Sequence, residues 1–212
     1  MTTAIAARPP ILDFRAEDHT YWRDGKLVPN VTRVLSLIQS FDHIDPAVLA
    51  NAQQEGTDIH RTVELHVKGD LAEASLPAWL RPRLDAFKRF EAESGFVMIA
   101  SECRVYNPQS NYAGTLDLIG KLRMPQSRSA IQITACIDLK RTILPGNRAV
   151  GLQTAAYAAA WNGSACVPQV THRFALQLRE NGTYRLQPYV DRSDFANFTA
   201  CLLVWRLRGA MQ

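Results

Sequence analysis

At Gly95 the apolar periodicity of the chain changes, and this change restricts the folds open to it. Upstream, apolar residues recur at helical spacing; downstream they run through segments rich in β-formers. "HTYWRDGKLV" predicts a short hairpin turning at Asp24-Gly25. The following "VPNVTRVLSLIQSF" predicts a helix capped near Asn30 or Thr32, with Val31, Val34, Leu35 and Ile38 on its apolar side. "DPAVLANAQQEGTDIHRTVELHVKG" predicts a second helix with Pro46 in its first turn and room for a break at Gly56. "PAWLRPRLDAFKRFEAESG" predicts a third, stopped at Gly95.

Beyond Gly95, "FVMIASECRVY" and "YAGTLDLIGKL" flank the turn "NPQSN" as a hairpin, and after the polar loop "PQSRS" the segment "AIQITACIDLKRT" predicts a third strand. A Pro-Gly-Asn loop leads into the alanine-rich helix "AVGLQTAAYAAAW". "THRFALQLRE" and "TYRLQPYV" form a hairpin about "NG", and "SDFANFTACLLVWRLRGA" closes the chain as a helix capped by Ser193 or Asp194. The expected fold is α/β (α+β): a mixed central β-sheet flanked by helices, with an N-terminal helical region. Residues 1–10 are expected to be a flexible tail. Residues 11–212 are expected to form one domain, mainly helical over 11–95 with the sheet core over 96–212.

Two of these strands carry charges where apolar residues belong. "GTLDLIGKL" sets Asp117 in a buried-strand pattern, and "IDLKRT" does the same with Asp138 and Lys140. A charge in such a place costs stability unless it is paired or binds a metal. Strand alternation puts Asp138 and Lys140 on one face, and on a neighbouring strand Asp117 can converge with them at one end of the sheet. Two carboxylates held close repel each other and tend to take up protons, a conflict that a divalent cation removes. Two acidic ligands, a backbone carbonyl such as that of Leu139, and waters describe a Mg²⁺ site, and a nearby lysine could position a nucleophilic water or offset transition-state charge. Taken alone, D-x-K describes an ordinary salt bridge at a sheet end.

Further residues join the pattern. Gln153 and Tyr157 are four apart on the helix that follows the third strand, and His60 precedes Glu64 by four on an upstream helix. "GTDIH", "GTLD", "IDLK" and "QTAAY", in that order, resemble the PD-(D/E)XK nuclease superfamily, specifically its RecB-like and RecE-like exonuclease branch; "VPNVTRVL" resembles the opening of that branch. The likeness covers roughly residues 19–161. It implies a restriction-endonuclease-like sheet and a divalent-metal-dependent DNA exonuclease that hydrolyses phosphodiesters with Mg²⁺ or Mn²⁺. It further implies that Asp117 and Asp138 are metal-binding carboxylates, Lys140 the catalytic lysine, His60 a contributor to the metal site, and Gln153 and Tyr157 a pair that touches substrate or braces the site. Glu102 stands where some members carry an additional acidic residue. Some relatives hold an iron–sulfur cluster through a tight C-terminal cysteine group; this chain has no such group, so no cluster is expected.

The net charge of +4 and a pI near 9.0 are compatible with a polyanionic partner. Arg141 and Arg148 bracket the loop after Lys140 and Arg61 adjoins His60, so these are the expected phosphate contacts. Arg81, Arg83, Lys88 and Arg89 are expected on a solvated helix face. Tyr112 or Trp22 could stack on a base. No recognition helix is evident, so the expected ligand is a DNA end or single strand bound without sequence preference, in recombination, repair or end processing of phage or mobile-element type. A ring-shaped oligomer would suit processive digestion, and a strand-annealing protein would suit as recombination partner; no residue specifies either. A catalytically silent DNA-binding or assembly module and a structure-selective endonuclease are the alternatives. The four scattered cysteines, no apolar run of about 18–20 residues and no signal-peptide layout lead to the expectation of a cytoplasmic protein with no membrane association.

Overall fold

The structure, a computed structural model, describes residues 12–39, 41, 44–124, 131–144, 146–164 and 167–210. The expected tail (1–10), the loop 125–129, Pro145 and Cys166 lie outside the described residues. The chain opens with three short strands, β1 (Leu12–Arg15), β2 (Thr20–Arg23) and β3 (Lys26–Val28), paired antiparallel in that order. Asp24 and Gly25 both have positive φ (50° and 72°), the backbone a type I′ hairpin turn requires. β1 was not foreseen. Its four residues alternate half-buried and exposed at the edge of the small sheet, too short a pattern to stand out.

Helix α1 (Val31–Leu35) is capped by Asn30, whose Oδ1 accepts from the Arg33 amide at 2.7 Å. It ends before Ile38, which is half exposed rather than part of the apolar face. Helix α2 (Pro46–Lys68) starts at Asp45, whose carboxylate caps the amides of Ala47 and Val48, and runs without interruption. The break allowed at Gly56 does not occur: one interior glycine costs only about 1 kcal/mol, less than the packing of the buried Ile59, Thr62 and Val63 on the same helix returns. α2 and α3 (Arg81–Ser94) both stop at glycines in the left-handed region, Gly69 and Gly95.

The main sheet has the order β4 (Val97–Asn107), β5 (Tyr112–Arg123), β6 (Gln132–Lys140), β7 (His172–Leu178), β8 (Tyr184–Pro188). Every pairing is antiparallel except β6–β7, which is parallel because α4 (Arg148–Asn162) connects the two strands. The sheet is therefore mixed and flanked by helices, as the sequence led us to expect. One face packs on α1, α4 and α5 (Asp194–Ala210) through residues such as Leu116, Ile119, Leu152 and Phe198; the other packs on α2 and α3 through Ile59, Phe87, Phe90 and Leu118. Cys103, Cys136 and Cys201 are free thiols. Among the described residues, no helix is long and apolar enough to cross a membrane.

Gly114 sets how closely α4 approaches β5. A Cβ there would lie 2.6 Å from Cε1 of Tyr157 and 3.3 Å from Val31. The tyrosine ring is buried, so it cannot yield, and Gly114→Ala is expected to lower stability by about 1–3 kcal/mol in denaturant titration.

Candidate metal centre

The centre forms where β5 and β6 part. Their ladder ends at Leu118↔Ile137, so Asp117 and Asp138 occupy the next position, where the strands are no longer paired. Asp117 bridges the opening: its Oδ2 accepts from the Leu139 amide at 2.6 Å. On the other side of β5, the pairs Ser101↔Leu118 and Cys103↔Leu116 place Glu102 opposite Asp117. Glu102 has φ 46°, a left-handed conformation inside a strand that costs a glutamate on the order of 1–3 kcal/mol. Such a kink re-aims a side chain, and here the carboxylate turns toward α2.

From α2, His60 meets both carboxylates. Its Nδ1 lies 3.6 Å from Glu102 Oε1 and 3.6 Å from Asp117 Oδ1, and one ligand atom from each of the three residues falls within 4.8 Å of the other two. His60 Nε2 donates to the Leu139 carbonyl at 3.1 Å. That bond fixes the ring so that Nδ1 faces the carboxylates; a metal bound there would displace the Nδ1 proton while Nε2 keeps its own. Burial acts to lower the pKa of His60, but the charge on Asp117 and the contact with Glu102 outweigh it and carry the imidazole up to about 9. Burial raises the pKa of Asp117, against the pull of His60 and Lys140.

Asp138 stands beside this group rather than in it. Its side chain is 1 % exposed and faces Lys140, whose Nζ lies 2.6 Å from Oδ2; Oδ1 has no hydrogen-bond partner among the described residues. Burial raises its pKa, with Lys140 opposing. Lys140 in turn donates to Gln153 Oε1 (3.3 Å), and Gln153 Nε2 donates to the Tyr157 hydroxyl (3.4 Å). Burial would lower the pKa of Lys140, but Asp138 and Asp117 more than offset it, so the amine is held charged. A line of side chains thus runs from β6 onto α4.

The donor set is the His60 imidazole nitrogen and the carboxylate oxygens of Glu102 and Asp117; the Leu139 carbonyl is taken up by His60 Nε2 on the other edge of the ring and does not join it. This group could hold a metal ion.

Of the residues singled out in the sequence, His60, Glu102, Asp117, Asp138, the Leu139 carbonyl, Lys140, Gln153 and Tyr157 gather here. Arg61, Arg141 and Arg148 are exposed; Arg61 pairs with Glu64 at 2.6 Å and Arg141 with Glu55 at 3.2 Å. Tyr112 does not serve a base-stacking role. It is fully buried, edge-on to Phe198, with its hydroxyl donating to the Ala156 carbonyl. Trp22 is half-buried beneath the Arg15 guanidinium. Arg83 is not on a solvated face: its guanidinium is buried against the Leu178 carbonyl. The sequence reading also missed Tyr21, whose hydroxyl lies 2.6 Å from Thr115 Oγ1, two residues before Asp117 on the same face of β5. Only the docking of the small N-terminal sheet onto β5, through the Ala113 amide and the Pro29 carbonyl, reveals that contact. No protein-family model matches the chain, and no curated protein matches it.

Proposed function

We propose that this protein is a divalent-metal-dependent nuclease that hydrolyses phosphodiester bonds, and within that class a DNA exonuclease. The observation that carries this reading is the adjacency of two units: the His60–Glu102–Asp117 group and the Asp138–Lys140–Gln153–Tyr157 line, on strands that part between them. His60, Glu102, Asp117 and Asp138 would hold the cation, with the Leu139 carbonyl beside them. Bound Mg²⁺ or Mn²⁺ supplies Lewis-acid polarisation of a phosphoryl oxygen and a water of lowered pKa.

The chain's own groups do the rest. Lys140, kept protonated by its carboxylate neighbours, places a positive charge where negative charge develops on the phosphoryl oxygens. Gln153 fixes the ammonium in place, and Tyr157, wedged against Gly114, fixes Gln153. Exposed Arg61, Arg141 and Arg148 bind backbone phosphates irrespective of sequence. Cytoplasmic DNA end processing, with a strand-annealing partner or a ring-shaped oligomer, is compatible with this chemistry.

Digestion of end-labelled linear DNA beside a covalently closed circle tests the reading. An exonuclease degrades the linear molecule and leaves the circle intact, and the order of label release gives its polarity. Cutting of the circle would assign an endonuclease instead.

A further inference from the structure

A second polar pocket, of about 350 Å³, opens at the carboxyl ends of the parallel strands β6 and β7 and is lined in part by Arg83, Arg141, Thr142, Gln177, Arg179 and Glu180. It begins one residue beyond Lys140. Lys140 and Gln177 are direct partners in the ladder, and Gln177 Nε2 donates to the Arg141 carbonyl at 3.1 Å, tying the start of the loop to β7. Crevices beyond the carboxyl ends of parallel strands are where α/β sheets usually bind ligands.

The charges within it are unequal: three arginines face one glutamate. Arg83 is the unusual member. Its side chain is 4 % exposed, its Nη1 donates to the Leu178 carbonyl at 2.6 Å, and its Nε has no partner among the described residues. The acid that offsets its charge is Glu180, 2.9 Å from Nη2 but 80 % exposed. A buried guanidinium is expensive without a counter-charge, yet an exposed carboxylate is held only weakly and can swing into water at little cost. Arg141 is paired, among the described residues, with Glu55 of α2 at 3.2 Å, a carboxylate about one-third exposed. Planar guanidinium forks held this way match the geometry of a phosphate, which would replace the carboxylates with bidentate, charge-assisted hydrogen bonds.

We infer that this pocket is an anion subsite for a phosphate of the substrate strand next to the one at the candidate metal centre, with Glu180 as the displaceable group that occupies Arg83 until the strand arrives. The inference rests on the nuclease reading for its ligand, but the pocket residues Arg83, Arg179 and Glu180 take no part in the metal centre. Recognition here is of the backbone, without a base contact, so it adds affinity and register rather than sequence preference.

The test is anisotropy of a fluorescent single-stranded oligonucleotide in EDTA, at several salt concentrations, with wild type, Arg179→Ala and Glu180→Gln; both substituted side chains are exposed, and circular dichroism checks the fold. Arg179→Ala is expected to weaken binding about threefold to tenfold and to reduce the slope of log K against log salt by about 0.7, the loss of one single-strand phosphate contact. Glu180→Gln is expected to tighten binding. A parallel arm measures the thermal shift produced by inorganic phosphate. If wild type binds the oligonucleotide and both variants match it in affinity and slope, the subsite is overturned while the nuclease reading stands. If inorganic phosphate raises the melting temperature of wild type but not of Arg179→Ala, and the oligonucleotide does not bind, the ligand is a free anion and the strand assignment is overturned. If the variants behave as expected but no DNA is ever cleaved, the subsite stands and the nuclease reading falls.

Discussion

Lys140→Met is expected to lower the rate of DNA hydrolysis by about 10²–10³-fold, the usual loss when one preorganised charge donor is removed from a transition state, while Mn²⁺ affinity changes little. The lysine is not a member of the His60–Glu102–Asp117 group, so its removal takes away no ligand atom there. It does strand Asp138, whose carboxylate is 1 % exposed and whose ion-pair partner among the described residues is this ammonium. Breaking a buried pair from one side costs roughly 3–5 kcal/mol, so the variant is also expected to melt earlier. The loss should shrink as pH falls, because burial already raises the pKa of Asp138 and without Lys140 the carboxyl takes up its proton still more readily. Single-turnover rates with Mn²⁺ titrations on the same preparation separate the two effects. A variant that loses stability but cleaves at the wild-type rate would make the ion pair purely structural.

Asp117→Asn carries the second large effect, on metal binding and on His60 together. The asparagine keeps an oxygen for the Leu139 amide but removes the carboxylate charge that His60 shares with Glu102. Mn²⁺ affinity is expected to fall by more than about 100-fold, beyond what loss of an outer hydrogen bond to a ligand costs. In EDTA, the His60 pKa should drop from about 9, since burial, the largest influence on it, then acts with Glu102 alone opposing. The sign carries over to stability. In the wild type, His60 is more basic folded than unfolded, so its contribution is full below pH 6.5 and is lost as pH rises through about 9; the decline should be smaller in the variant. A histidine NMR titration reads the pKa directly, and a His60 that stays near 9 in the variant would mean Asp117 is not what holds its proton.

Much of this cluster was legible because charged residues interrupt an apolar pattern. Asp117 and Asp138 stand out as charges in apolar strands, Lys140 follows by strand alternation, and Gln153 and Tyr157 follow by helical spacing. Each rests on a local period of two or of 3.6 residues. Glu102 was marked by the resemblance rather than by a local period; the register opposite Asp117 and its positive φ are what turn it inward. What escaped depends on contacts between distant segments. Tyr112 has the composition of a stacking platform and becomes core because α4 and α5 close over it. Arg83 lies in a charged helical stretch that looks solvated; only the end of β7, 95 residues later, supplies the carbonyl that buries it. Gly56 suggested a break because local propensity was read without the packing that holds α2 in one piece.

The most direct measurement is release of acid-soluble nucleotide from linear DNA as Mg²⁺ or Mn²⁺ is titrated into EDTA-treated protein, with Asp138→Asn alongside. A metal-dependent nuclease built on this centre gives no release in EDTA, saturable release with either ion, and none above background from the variant. Release that persists in EDTA, or that Asp138→Asn leaves unchanged, would contradict a metal-dependent nuclease built on this centre.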